Sequence, residues 1–330
     1  MGADELGGPR APGGRPPADL GADEERILAY ASSIGSEFDL GLLARALGTT
    51  AVPLADSLER LVRRGVLWQR PGGERFGFAE EELRGRVYRS LTDSRRRVLH
   101  RKIAEALEAL PADGTGRPAT ELGRHFFLGK VPEKSLAYNR RAADEARAAE
   151  EPERAIHLYE RVLLEIEHLP GDHRRERAEV CELLGDLLFA VGNYRGADRR
   201  YLEALETAST TDPNLTARLL LARAEIAREG LELAAAARGA LEARQLFESS
   251  GDAVGVAETH RLLGRLAFAR GEYTESLEEN MRSLERLEGH RDPHLMGLLS
   301  IDLGNSFALQ GADGRPVAIE WYHHAIDCLL

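Results

Sequence analysis

The strongest candidates for chemistry in this 330-residue chain are charged, amide and aromatic residues spaced as one side of successive helices. Glu182, Asp186 and Phe189, then Arg218, Glu225 and Arg228, then Arg261, Arg265 and Phe268 fall three, four or seven positions apart within each group, and Asn305 follows. Such steps keep side chains on one helix face. Arg228, Arg261, Arg265 and Asn305 could converge as donors for a carboxylate through charge-assisted hydrogen bonds. The same groups could equally form solvated faces, or salt bridges between neighbouring helices, and the sequence leaves both readings open.

Reaction chemistry finds little support. The one Gly-Lys pair, Gly129-Lys130, has Arg124 where a phosphate loop needs its first glycine and Val131 where Ser or Thr would hold magnesium. The histidines make no H-x-x-x-H pair with an adjacent glutamate, and there is no C-x-x-C or G-x-S-x-G. His323 and His324 are adjacent, so they point about 100° apart on a helix. His100 reads as a hydrogen-bonded packing residue. No enzyme activity, cofactor or metal is expected. A basic concentration, Arg84, Arg86, Arg89, Arg95, Arg96, Arg97, Arg101 and Lys102, reads as the solvated side of two helices or as a surface for phosphate or an acidic domain.

The elements that must position the candidate groups recur. In Cys181 to Glu206 a first helix carries Leu184-Gly185, Gly192-Asn193-Tyr194 turns, and a second helix sets Ala197, Tyr201 and Ala204 on one face. Small residues let two backbones approach while the tyrosine fills the space beside them. The pattern returns as Leu263-Gly264, Gly271, Tyr273, Ser276, Asn280 and Ser283, and as Leu303-Gly304, Gly311, Ala318, Tyr322 and Ala325. Gly185 and Gly264 stand two periods apart, so a degenerate copy belongs between them, carried by Ala224, Ala236, Ala240 and Ala243. These residues resemble the tetratricopeptide repeat (TPR), with a period near 40 instead of the usual ~34. Such long repeats are similar to the sensor arms of STAND regulators, the signal-transduction ATPases typified by the maltose activator. Stacked hairpins of this kind form a right-handed solenoid whose inner wall is the first helix of each repeat, and there a ligand would meet the candidate residues.

Ahead of the repeats, Gly- and Pro-rich residues 1–22 read as a flexible linker. Helical spacing starts at Glu24, Asp39 caps a helix ending at Gly48, and a third helix runs from Ala51 to Arg64 with Gly65 as its stop. Val66 to Gln69 and Arg75 to Phe78 flank Pro71-Gly72-Gly73-Glu74 as a two-stranded hairpin. Two connector helices follow, the second capped by Thr92. This order resembles the winged-helix region between the ATPase and the repeat arm of STAND proteins. Residues 23–112 are thus expected to be a winged-helix domain and 113–330 the repeats, with the break at Pro111 to Pro118. Leu122-Gly123 and Ala155-Tyr159 match different halves of a repeat, implying a transitional three-helix unit.

A net charge of -11 disfavours a general nucleic-acid partner. Two cysteines, Cys181 and Cys328, suggest a reducing interior, and without an apolar run near ~20 residues or a signal segment the cytoplasm is the expected location. The expected whole is a mainly α, non-catalytic scaffold or sensor that holds a protein or peptide partner in the repeats. A DNA-binding winged-helix regulator with a ligand-sensing repeat arm is the alternative, tested by whether Arg60, Arg63 and Arg64 form a basic row. The last helix keeps Trp321, Ile326 and Leu329 apolar, so self-association there is a further expectation.

Overall fold

The computed structural model describes residues 20–72, 74–110, 119–207, 212–311 and 313–330. The chain is mainly α-helical and forms two compact units, residues 1–169 and 170–330.

In the first unit, α1 (Ala22–Ile34), β1 (Glu37–Asp39), α2 (Leu40–Leu47) and α3 (Ala51–Arg63) precede β2 (Leu67–Gln69) and β3 (Arg75–Phe78). The strands form one antiparallel sheet of order β1-β3-β2. The expected hairpin therefore gains a third strand, seated by Phe38 stacking on Phe76 with centroids 6.1 Å apart. The Asp39 carboxylate accepts from the amides of Gly41 and Leu42, and Gly48 takes the left-handed conformation at φ 69° that ends α2. The first helix begins two residues before Glu24. Of the expected 1–22 linker, residues 1–19 lie outside the described residues, and Leu20 packs on the core.

Then come α4 (Glu81–Ser90), α5 (Asp93–Glu108), α6 (Ala119–Leu128), α7 (Pro132–Ala148) and α8 (Pro152–Ile166). The break expected at residues 111–118 lies outside the described residues. Leu122 and Phe126 of α6 share a core with Leu28, Leu43, Leu58 and Ile103, so α6 is packed into the first unit, which extends to Leu169. The three-helix unit takes a specific form. Gly123 of α6 lies beneath Asn139 of α7, and Tyr159 of α8 donates to Asp144 of α7 at 2.5 Å. Helix α7 thus serves as the second helix of one hairpin and the first of the next.

The described residues of the second unit form four helical hairpins of TPR-like design: α9 (Arg174–Ala190) with α10 (Tyr194–Thr207), α11 (Pro213–Glu229) with α12 (Leu233–Ser250), α13 (Ala253–Arg270) with α14 (Tyr273–Leu287), and α15 (Pro293–Ala308) with α16 (Gly314–Leu329). The helices pair at the expected small residues. A Cβ on Gly185 would strike the Tyr201 ring, one on Gly264 would come within 2.5 Å of Asn280, and one on Gly304 within 2.5 Å of Tyr322. In the degenerate hairpin Ala224 meets Gly239. Seven positions beyond each of Gly185, Gly264 and Gly304 a glycine opens the turn with positive φ: Gly192, Gly271 and Gly311. The equivalent after Ala224 is Leu231, held at φ 60°, and in the first unit Lys130 and Glu150 stand likewise after Gly123 and Ala143. These three are the non-glycine residues with positive φ among the described residues, and the period places all of them.

Candidate functional site

The first helices α9, α11, α13 and α15 are successive neighbours in the second unit. Their shared wall is built by spacing: on α13, Glu258, Arg261, Arg265 and Phe268 follow one another at three- and four-residue steps. Ion pairs then link each helix to the next. Arg218 of α11 grips both carboxylate oxygens of Glu182 of α9 with one guanidinium edge, Nε at 2.6 Å and Nη2 at 3.0 Å. Arg265 of α13 donates to Glu225 of α11 at 2.9 Å, and Arg261 donates to Asp302 of α15 at 2.7 Å. Arg228 donates within α11 to Glu225 at 2.8 Å and also to Glu229.

The rungs differ in burial. Arg261 and Asp302 keep 16% and 15% of their side-chain exposure, whereas Arg218 keeps 48% and is the more accessible cation. Burial pushes the Asp302 carboxyl above its usual range against the pull of Arg261 and Arg265. Burial also opposes the charge on Arg228, but the Glu225 and Glu229 carboxylates outweigh it and raise the guanidinium.

The remaining candidate residues are tied to their own hairpins. Tyr201 donates to Asp186 at 2.7 Å, and Tyr322 donates to Asn305 at 2.9 Å. Phe189 packs on Tyr194 with centroids 5.3 Å apart, and Phe268 on Tyr273 at 5.4 Å. The structure therefore places Glu182, Arg218, Arg228, Arg261 and Arg265 in three successive ion-pair groups along the wall, while Asp186, Phe189, Phe268 and Asn305 brace their own hairpins. Arg228, Arg261 and Arg265 do not converge on an open space for a carboxylate, because each already has one. Sequence reasoning missed Asp302 and Glu258 as wall residues. Glu258 sits three residues before Arg261 and was legible by that step, while Asp302 lies two residues before Gly304 and falls outside the stripe seen on α9 and α13.

A second concavity, about 590 Å³, lies among α10, α11 and α12 beside Asp198, Arg223, Glu229 and Arg238. Small residues shape it, since Ala224 and Gly239 face each other there.

In the first unit the basic helices are partly committed. Arg84 binds Glu81 and the Ser32 carbonyl, Arg96 binds Asp93 and lies over the Tyr88 ring, and Arg101 donates to the Gly129 carbonyl. Arg64, the residue that ends α3, pairs with Glu24 of α1 at 2.8 Å, and Arg60 of α3 donates to Ser57. His100 is a buried, hydrogen-bonded packing residue, 2.9 Å from both the Tyr88 hydroxyl and His125 Nδ1. Arg124 donates to His125 Nε2 at 2.9 Å, so that nitrogen carries the lone pair and the His125 Nδ1 proton must point at His100. Burial, followed by the nearby arginine charge, holds His100 down to about 4 and His125 down to about 2. Both rings stay neutral at physiological pH.

Among the described residues no group of three His, Cys, Asp or Glu is placed to hold a metal ion, and no helix is long and apolar enough to cross a membrane. On α16, Trp321 packs on the Leu295, Leu299 and Leu303 cluster, while Ile319 and Ile326 are exposed.

No family model and no curated protein matches the sequence. Solved structures do. The Rap conjugation gene regulator of plasmid pLS20, in complex with a Phr peptide, is similar over 92% of this chain and 74% of its own, at 13% identity and a TM-score of 0.53. A STAND protein from Pyrococcus horikoshii with a tetratricopeptide-repeat sensor is similar over 94% of this chain and 44% of its own, at 15% identity and a TM-score of 0.48. BtubC of P. vanneervenii is similar over 64% and 84%, at 19% identity and a TM-score of 0.48. The first of these likenesses shows a shared fold of TPR-like helical hairpins.

Proposed function

We propose that the chain is a non-catalytic interaction module whose first-helix wall in residues 170–330 holds a peptide segment of a protein partner, as part of a STAND-like signalling protein in the cytoplasm. The observation that carries this reading is the run of ion pairs from Glu182 to Asp302, which fixes charged side chains along four neighbouring helices. A wall prepared in this way loses little side-chain freedom on binding. A protein of like fold being solved with a peptide agrees with it.

The order helix, strand, two helices and a hairpin, with strand order β1-β3-β2, supports reading residues 23–112 as a winged-helix domain. As a DNA reader that domain is poorly equipped. Arg60 of α3 and Arg64 at its end turn toward Glu24, so the basic row the alternative requires is partly used inside the fold.

Photocrosslinking tests the wall. Benzoylphenylalanine in place of Phe268 should give saturable adducts that map to one peptide segment, whereas the same group in place of Leu241 on α12 should not. Equal labelling from both positions, or none from 268, sinks the proposal.

A further inference from the structure

The concavity of about 590 Å³ among α10, α11 and α12 lies where this chain departs from its own repeat. Tyr201, Asn280 and Tyr322 lie over Gly185, Gly264 and Gly304, and the residues just before them are Arg200, Glu279 and Trp321. Each is a long side chain set against the first helix of its hairpin. Glu279 pairs with His260 of α13 at 2.7 Å, and Trp321 packs on the Leu295, Leu299 and Leu303 cluster of α15. Arg200, 16% exposed, donates to Glu203, which also accepts from Cys181 of α9. The same place on α12 is Gly239, followed by Ala240. Gly239 has no side chain to lay over α11, and the concavity opens there.

Its floor is apolar and its rim carries both signs of charge. Leu220, Ala224 and Ala227 of α11 form the floor, on the side of the helix about half a turn around from Arg218. Arg223 donates to Asp198 of α10 at 2.7 Å and ties the two helices together beside it. Arg195 on α10, Arg238 on α12 and the Glu242 carboxylate line the same space, and none of the three has an ion-pair partner among the described residues.

We infer that this trough is a second binding surface, a subsite that takes the side chain of a tryptophan presented by a partner protein. The inference does not rest on the first-helix wall, which lies on another side of α11. A charged guest of either sign would meet like charges, Arg195, Arg223 and Arg238 or Asp198, Glu229 and Glu242. A neutral ring with one N–H donor uses both signs at once, since a guanidinium is attracted to its face and a carboxylate accepts its proton. Indole meets that description and buries a large apolar area on an aliphatic floor. The array makes the same choice itself, because Trp321 stands at the equivalent place in the α15–α16 hairpin and covers leucines of α15. A concavity of this size accommodates the indole together with the backbone on either side of it.

The test is fluorine NMR of N-acetyl-5-fluorotryptophan amide with the full chain. Its line should broaden saturably, with a dissociation constant on the order of millimolar, and N-acetyltryptophan amide should displace it at least about tenfold better than N-acetylleucine amide. Ala235→Trp, which fills the trough from α12, should abolish the broadening while far-ultraviolet circular dichroism stays unchanged. Arg238→Ala changes an exposed side chain and keeps the fold, so it serves where Ala235→Trp does not, and it should weaken binding about two- to fivefold. Equal displacement by the leucine amide, broadening that survives Ala235→Trp in a folded protein, unchanged binding by Arg238→Ala, or no broadening up to about 10 mM each overturn the inference. Free tryptophan binding more than about tenfold tighter than the amide would make the ligand an amino acid and overturn the assignment to a protein partner. None of these outcomes bears on crosslinking from position 268, so the wall stands or falls separately.

Discussion

In the first unit Arg26, Arg84, Arg101 and Arg124 donate to the main-chain carbonyls of Leu47, Ser32, Gly129 and Ile34, whereas in the second Arg218, Arg261 and Arg265 donate to carboxylates on neighbouring helices. The chemical difference is between a partner that cannot leave and one that can. A carbonyl at a helix end is an orphan acceptor of the backbone, and an arginine that satisfies it closes the fold. A glutamate side chain can rotate away or exchange its partner at modest cost. Arginine count alone does not separate a basic binding surface from a set of internal staples, which is why the cluster from Arg84 to Lys102 reads ambiguously as sequence.

The largest test of that contrast is Arg124→Ala, which removes the donor from both the Ile34 carbonyl and His125 Nε2. It should cost about 2–3 kcal/mol in urea unfolding followed by circular dichroism, because two buried acceptors lose a charged partner. A cost below about 1 kcal/mol would erase the distinction between staples and wall. Next comes Leu231→Gly. The residue is 80% exposed and held at φ 60°, so little burial is lost while the left-handed strain is relieved, and the second unit should gain about 1 kcal/mol in the same measurement. The smallest effect belongs to Arg218→Ala. Its side chain is half exposed and its charge is screened by solvent, so the loss should stay near 0.5 kcal/mol despite two short bonds to Glu182. A loss as large as that of Arg124→Ala would mean that the wall is a staple too.

Much of this was legible in the residues because local signals agreed. Pro at the starts of α7 and α8, Asp39 and Thr92 as caps, and Gly48 and Gly65 as stops each act within one turn. The repeat was legible because Gly185, Gly264 and Gly304 must be small for their helices to touch. Strand β1 was not legible, since three residues cannot display an alternation, and it exists because Phe38 finds Phe76 about forty positions away. The site was legible as a stripe but not as a network. Spacing shows that Arg261 and Arg265 share a face, yet Asp302 and Glu225 come from other helices, and only tertiary pairing decides which charges are spent.

Among the described residues the turn residue seven places after each small contact residue marks six starts, at Gly123, Ala143, Gly185, Ala224, Gly264 and Gly304. The last four stand about one full period apart, so excising residues 225–264 joins two equivalent points and should leave a shorter array in frame. The first two share α7, and no cut there removes one hairpin without dismantling its neighbour. Growth and loss by whole units are open to the C-terminal half of this molecule and closed to the helices that precede it.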